Sequence, residues 1–405
     1  MKNKHILRNK EIELIGESGY LKKNTTVTDA LIENFYNEIF KDEEQKLMKM
    51  FFEEKPSQKD LDELLKLWDI EVKGGDKSSL LSYFMKEHPE LQFTSYEEPR
   101  LKGLLNYQKF ANLNAITIFT KIGKELNANN IKPLILNSLA IKYLFNEFPR
   151  AINNMHLAVL RKNLKKTINI VSKFGYEKLY NDDYVLILQN TIGKKNNIFI
   201  HKKLYTGTTK KKKLKFLFKN AKEENIFNVK TFLPKCEDLM FMILINLANN
   251  LRNDRSQADI LYACFDCNLL IKNNKNFDWN VIIQNAEKTK SKIQVNFALK
   301  FISKVSKNIL PKEIQENILF EKEMKLYSNM IMFRRFYLED LKYKCRELKF
   351  TDALSSKTKL KEYIKLKPKY QFLRSLRNHP HLIKFIVKDI DKAYSLIESV
   401  NEKSK

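Results

Sequence analysis

Residues 131–180 read IKPLILNSLAIKYLFNEFPRAINNMHLAVLRKNLKKTINIVSKFGYEKLY, and the order of elements in this stretch decides the fold. Two apolar runs, LIL at 134–136 and MHLAVL at 155–160, bracket a segment whose apolar residues recur at helical spacing. The first run is too short for a helix and ends in Asn137-Ser138, a pair that favours a turn. The pattern predicts strand, turn, helix, loop, strand, helix. Asn154 stands just before the second run and His156 inside it. Alternate residues of a strand share a face, so these two side chains are expected to point the same way.

Around this stretch the composition is that of a folded protein. The chain has 405 residues, 43% hydrophobic and 11% aromatic, with 27 Phe and 17 Tyr, enough apolar material for several packed units. Nine Gly and nine Pro suit a mainly helical protein. The formal charge of +26 is unevenly spread: residues 1–100 carry 16 Lys/Arg against 21 Asp/Glu, whereas 101–220 carry 23 against 5. An anionic ligand or surface is therefore expected for the later part of the chain. No apolar stretch resembles a secretory signal, and the longest greasy run, LMFMILINLA at 239–248, is too short to span a bilayer. Cys236, Cys264, Cys267 and Cys345 form no disulfide framework, which suits a reducing, cytoplasmic setting.

Taken in order, residues 1–58 read as a polar, helical N-terminal extension with an amphipathic helix at 28–40. Residues 59–130 form a helical lead-in: two helices separated by Gly74-Gly75, then a long helix over 101–126. Residues 131–235 form a mixed α/β core in which DYVLILQ at 183–189 and NIFIH at 197–201 pair as a hairpin. Residues 236–310 carry four helices, one of them capped by Asp278, and 311–405 a basic helical C-terminal extension. The Lys210–Lys213 run reads as a solvated loop entering a helix. The fold class is α+β, a small mixed sheet embedded in a mainly helical protein.

Several marks in sequence order carry a resemblance. These are DELLKLWDIEV, then NANNIKPLILNSLAIKYLF, then FPRAINNMHLAVL, FGYEK and IFIHK, and finally ADILYACFDCNLLI with FDWNVIIQNAEK. Over residues 59–310 they resemble the bacterial family of uncharacterised nucleotidyltransferases, within the polymerase-β-like superfamily. The resemblance implies a site where Mg²⁺, held by three carboxylates, stabilises the charge of a transferred nucleotidyl group. Carried over position by position, those carboxylates fall on Asn154, His156 and Phe199. The family's turn Lys and Gly fall on Asn137 and Ser138, while Arg150 and His201 are retained.

With all three acids replaced, the expectation is a protein that has lost metal-dependent catalysis. It would act as a binding module for a nucleotide, a nucleic acid or a protein partner, with no cofactor and no metal. Asn137, Ser138, Lys142, Arg150 and His201 are the candidate nucleotide contacts. One alternative is an active transferase using Mg²⁺ through displaced ligands, with Asp182, Asp183 or Asp266 supplying carboxylates; another is a scaffold. His156 and His201 are too few for a structural zinc site and are expected to be two hydrogen-bonded histidines that fill a former cleft. Asp266, inside an apolar helix, needs a partner, for which Arg252 and Arg255 are candidates. Cys264 and Cys267, at i and i+3 on the same helix, read as packing residues.

Overall fold

The computed structural model describes residues 27–52, 56–68, 75–181, 184–191, 196–204, 212–253, 257–289, 291–306 and 309–317. Contacts divide the chain into two compact units, one of Met1–Glu38, Arg252–Asp254 and Glu316–Lys405, the other of Ile39–Leu251 and Arg255–Gln315. In the first, helix α1 (Val27–Ile39) buries Leu31, Ile32 and Phe35 along one stripe. Of the basic helical extension expected over 311–405, residues 318–405 lie outside the described residues.

The second unit begins with α2 (Asp42–Phe52), α3 (Gln58–Leu67), α4 (Gly75–Glu87) and the long α5 (Glu97–Ala128). A capping box starts α3. Ser57 Oγ accepts from the Asp60 amide at 3.2 Å, and the Asp60 carboxylate accepts from the Ser57 amide at 3.3 Å, so two orphan donors are satisfied reciprocally. In α5 the buried positions Leu101, Leu105, Gln108, Asn112, Ala115, Phe119, Ile122 and Leu126 keep a helical spacing and face the rest of the unit. Asn130, at φ 58°, follows its end and turns the chain into the sheet.

The core is β1 (Leu134–Leu136), α6 (Asn137–Leu144), β2 (Asn154–Ala158), α7 (Leu164–Ser172), β3 (Tyr176–Asn181), β4 (Val185–Asn190) and β5 (Asn197–His201). Next come the ribbon β6 (Lys203–Leu204) with β7 (Lys212–Lys213), a short helix α8 (Lys215–Asn220), and β8 (Lys222–Ile226) with β9 (Val229–Leu233). The main sheet has the order β3-β4-β5-β2-β1-β9-β8. The pairs β2–β5 and β1–β9 are parallel, and the remaining pairs are antiparallel. The hairpin expected from 183–189 and 197–201 is the β4–β5 pair, in which Ile187 lies opposite Phe199.

Alternation gives the sheet two unlike faces. On one, Ile135, Met155, Leu157, Leu186, Leu188, Ile198 and Ile200 are all buried. On the other, Asn154, His156, Ile187, Asn197, Phe199 and His201 are only partly buried.

Five strands exceed the sequence expectation: β3, β8 and β9 in the main sheet, and the ribbon β6–β7, which pairs Lys212–Lys213 where a solvated loop was expected. The β8–β9 hairpin turns through Phe227 and Asn228, both at positive φ (50° and 60°) and without glycine. A bulky residue is strained there, at a cost of about 1–3 kcal/mol. Its neighbours hold it: the Phe227 ring packs edge-on against Phe119 and Tyr143, and the Thr120 hydroxyl donates to its carbonyl at 3.0 Å. Helix α5 lies close on this hairpin at Gly123, where a Cβ would meet Val229 Cγ1 at 2.5 Å.

The unit continues with α9 (Cys236–Asn253), α10 (Gln257–Lys272), α11 (Trp279–Thr289), α12 (Lys292–Val305) and α13 (Lys312–Asn317). The Asp278 carboxylate accepts from the Asn280 amide at 3.0 Å at the start of α11, as its cap position requires. Buried Asp238 accepts from Asn285 at 2.7 Å and from Asn220 at 3.3 Å, joining α9 to α11 and α8. Burial raises its carboxyl above the usual range, opposed by those two amide donors.

Candidate functional site

The site lies on the partly open face, at the C-terminal end of β1 and the strands β2 and β5. Register places Leu136 opposite His156, His156 opposite Phe199, and Asn154 opposite Asn197. Because β2 and β5 are parallel neighbours, Asn154, His156, Phe199 and His201 project together. Asn154, His156 and Phe199, the positions on which the resemblance places carboxylates, are therefore adjacent. His156 Nδ1 and His201 Nε2 are 3.0 Å apart, sharing one hydrogen bond, and the Phe199 ring stacks on His156 at 4.7 Å.

Loss of water contact lowers both imidazole pKa values. His156 falls well below the ordinary histidine range through burial first, then the neighbouring His201 and the Arg150 charge, and burial takes His201 down to about 4. The pair is neutral at neutral pH, one ring donating an N–H to the lone pair of the other. This makes the former cleft a hydrogen-bonded, uncharged surface.

Around it, the retained charges are engaged. Arg150 Nε lies 3.1 Å from both oxygens of Asp266, its guanidinium sits 4.3 Å over the Tyr262 ring, and a terminal nitrogen donates to the Ala151 carbonyl at 3.3 Å. The partner of Asp266 is thus Arg150, where Arg252 and Arg255 were expected. Arg150 lies on the strand-entry loop, so the ion pair ties α10 to β2 instead of closing locally. Burial pushes the Asp266 carboxyl up to about 6, opposed by the Arg150 charge and its hydrogen bond. Asn112 on α5 fixes the loop, its amide donating to the Arg150 carbonyl at 2.9 Å and its oxygen accepting from the Ile152 amide at 2.9 Å. The flanking aromatics set both partners: Phe148 lies 6.1 Å from Phe265, which also meets Phe51 at 4.8 Å and Phe52 at 5.3 Å.

Lys142 is 8% exposed and donates to the carbonyls of Asn146 and Phe148, the latter at 3.2 Å, which turns its ammonium into the loop after α6. Burial lowers its pKa. The Ser138 hydroxyl donates to the Asn154 carbonyl at 3.2 Å, tying the turn to β2. Asn137 takes the left-handed conformation, φ 51°, that asparagine tolerates at a strand-to-helix turn. Its side-chain oxygen and that of Asn197 are buried without a hydrogen-bond partner.

The structure thus brings together Asn154, His156, Phe199 and His201, with Arg150 beside them, and directs Lys142 away from them. Asp182 and Asp183 lie outside the described residues, and Asp266 is held by Arg150. Cys264 and Cys267 are buried, and burial raises both thiols above the usual range. Among the described residues, no group of three or more His, Cys, Asp and Glu could hold a metal ion. Hard Mg²⁺ requires anionic oxygens, and the amide of Asn154, the imidazole of His156 and the phenyl ring of Phe199 do not fit it.

Three contributors escape a reading of the sequence: Asn112, Asn197 and Tyr262. Tyr262 precedes Asp266 by one helical turn, a spacing that puts its ring on the same face as the carboxylate; Asn112 and Asn197 come into view only with the fold.

A family model described as "Uncharacterised nucleotidyltransferase" matches residues 78–306, more than half of the chain. The chain belongs to that family. Its α+β architecture is that of the nucleotidyltransferases. The search of curated proteins finds no match. Among solved structures, the chain is similar to the antibiotic-resistance factor ANT(2'')-Ia in solution, at 12% identity and TM-score 0.35 over 45% of this chain and 96% of that one. The crystal structure of ANT(2'')-Ia in complex with adenylyl-2''-tobramycin gives 13% identity and TM-score 0.31, over 47% and 97%. An antigenic nucleotidyltransferase-like protein from Paracoccidioides brasiliensis gives 14% and 0.25, over 48% and 97%. No helix among the described residues is long and apolar enough to cross a membrane.

Proposed function

We propose that this nucleotidyltransferase-fold protein no longer transfers nucleotides and instead binds a ligand on the open face of its sheet without a metal ion. The observation that carries the reading is the His156–His201 hydrogen bond of 3.0 Å, with Phe199 stacked on His156, at the positions where the family's carboxylates would stand. Nucleotidyl transfer depends on charge stabilisation by Mg²⁺ between anionic oxygens, and a neutral imidazole pair supplies none to hold that ion.

The same geometry favours a flat, uncharged hydrogen-bonding group such as a nucleobase. The partly exposed Phe199 ring offers stacking surface, and the partly exposed Asn154 amide offers polar contacts. Phosphate recognition is secondary, because Arg150 and Lys142 would first have to leave Asp266 and the loop carbonyls. Calorimetric titration with adenosine and ATP, with and without Mg²⁺, tests the reading alongside a pyrophosphate-release assay. Metal-independent binding and no pyrophosphate are expected, and the joint substitution Asn154→Asp, His156→Asp, Phe199→Asp should introduce Mg²⁺-dependent nucleotide binding. Mg²⁺-dependent pyrophosphate release by the unaltered protein would overturn it.

A further inference from the structure

The outward face of α5 is a feature that the sheet-face site leaves unused. Successive residues of a helix advance by about 100°, which places Tyr107, Phe110 and Leu113 half a turn from the buried stripe of Leu105, Asn112, Ala115 and Phe119. The three are 60%, 66% and 60% exposed. Large apolar side chains grouped at i, i+3 and i+6 on a solvent-facing ridge mark an interaction surface. Gly103, one turn earlier on the same side, has nothing within 4 Å of the position a Cβ would take, so another backbone can approach closely there.

Charge decides the occupant. From Pro99 to Lys124 the helix carries Arg100, Lys102, Lys109, Lys121 and Lys124 and no acid. Its acids are Glu97 and Glu98 in the first turn, where Glu98 pairs with Lys102 at 2.5 Å, and Glu125 in the last. A second copy laid on this ridge would set these cations against their own kind, so self-association is disfavoured. The i, i+3, i+6 ridge fits the i±4 groove of another helix. We propose that the α5 face docks an amphipathic helix of another protein, apolar along one seam and acidic along its flanks.

The probe is a fluorescein-labelled helical peptide of about 20 residues, long enough to cover the ridge at ~1.5 Å per residue. It carries leucines at 3–4 spacing and glutamates on either side, and anisotropy is read against the full-length protein. Binding should weaken at least tenfold in Phe110→Asp and by a smaller factor in Lys109→Glu, and should weaken with added salt. Phe110 and Lys109 are exposed, and unchanged circular dichroism verifies that both variants fold. Absence of binding, equal binding of a scrambled peptide, or an unaltered affinity in Phe110→Asp overturns the proposal. So does a dimer in sedimentation that Phe110→Asp dissociates. Binding of oligo(dT) or of phosphatidylserine vesicles that Phe110→Asp abolishes, without binding of the peptide, would assign the face to nucleic acid or lipid and equally overturn it.

Discussion

Strands β2 and β5 offer an internal comparison, since the same two segments build two faces from alternate residues. On one face Met155, Leu157, Ile198 and Ile200 are buried, and any β-branched or aliphatic side chain of the right volume would serve. On the other, Asn154, His156, Asn197, Phe199 and His201 stand partly open, chosen for chemistry and not for volume. The covered face holds the fold, and the open face can be rewritten with little loss of stability.

The strongest way to break this division is to attack the one buried charge pair that borders both regions. Removing one partner of a buried ion pair leaves the other uncompensated, at a cost of about 3–5 kcal/mol. Asp266→Ala should therefore destabilise the protein by that order in urea denaturation, although it touches neither face directly. A loss under about 1 kcal/mol would mean that Arg150 finds water or another acceptor, and that the pair does not anchor α10 to the strand-entry loop.

Next in size is the contrast between the faces themselves. Ile198→Ala empties a fully buried position and should cost about 2–5 kcal/mol. Asn154→Ala, one strand over on the open face, should stay within about 0.5 kcal/mol, as surface changes usually do, because the contact that Ser138 makes is to the Asn154 backbone carbonyl, which the substitution keeps. Equal losses in thermal or urea melts would abolish the distinction.

The division also shows in what could be read before the fold was known. A short apolar run announces β1, alternation announces β2, β4 and β5, and i, i+3, i+4 spacing announces α5 and the helices after the sheet, because burial of one face imposes periodicity on the sequence. Strands β3 and β8 escaped because they are edges. From Glu177 to Asn181 all of β3 is exposed, and β8 reads Lys-Glu-Glu-Asn before its one buried Ile226. Exposed edges carry charge and no alternation. The β8–β9 turn lacked its usual glycine signal because Phe227 is held at positive φ by packing. At the site, the sharing of one face by Asn154 and His156 followed from alternation alone. The Arg150–Asp266 pair did not, since 116 residues separate its members.

Acid titration sharpens the comparison further, because the open face and the ion pair respond with opposite sign. His201 is held at about 4 in the fold against about 6.5 in the unfolded chain, so the unfolded state binds more protons between these values. Its contribution is complete above pH 6.5 and is lost as pH falls toward 4, by at most about 3 kcal/mol. Asp266 is raised to about 6, so the folded state binds more protons between 3.8 and 6, and its term favours the fold in acid and fades as pH rises through 6. Against the unaltered protein, His201→Gln should show a stability difference that is constant above pH 6.5 and shifts in the variant's favour toward pH 4.5. Urea melts at several pH values measure it, and a pH-independent difference would place His201 in contact with water.

The smallest expected effect concerns the strained turn. Asn228 follows Phe227 at φ 60° in a two-residue hairpin whose geometry favours glycine at the second central position. Asn228→Gly relaxes that residue but adds conformational freedom to the unfolded chain, and since asparagine already tolerates the left-handed region, the two nearly offset. A gain of at most about 0.5 kcal/mol is expected, whereas Phe227→Gly should be destabilising even though it removes the worse strain, because the ring's contacts with Phe119 and Tyr143 go with it. If Phe227→Gly were the stabilising change, local backbone preference would outweigh packing at this turn. The hairpin would then be a strained feature that α5 and α6 tolerate, and not one that they hold in place.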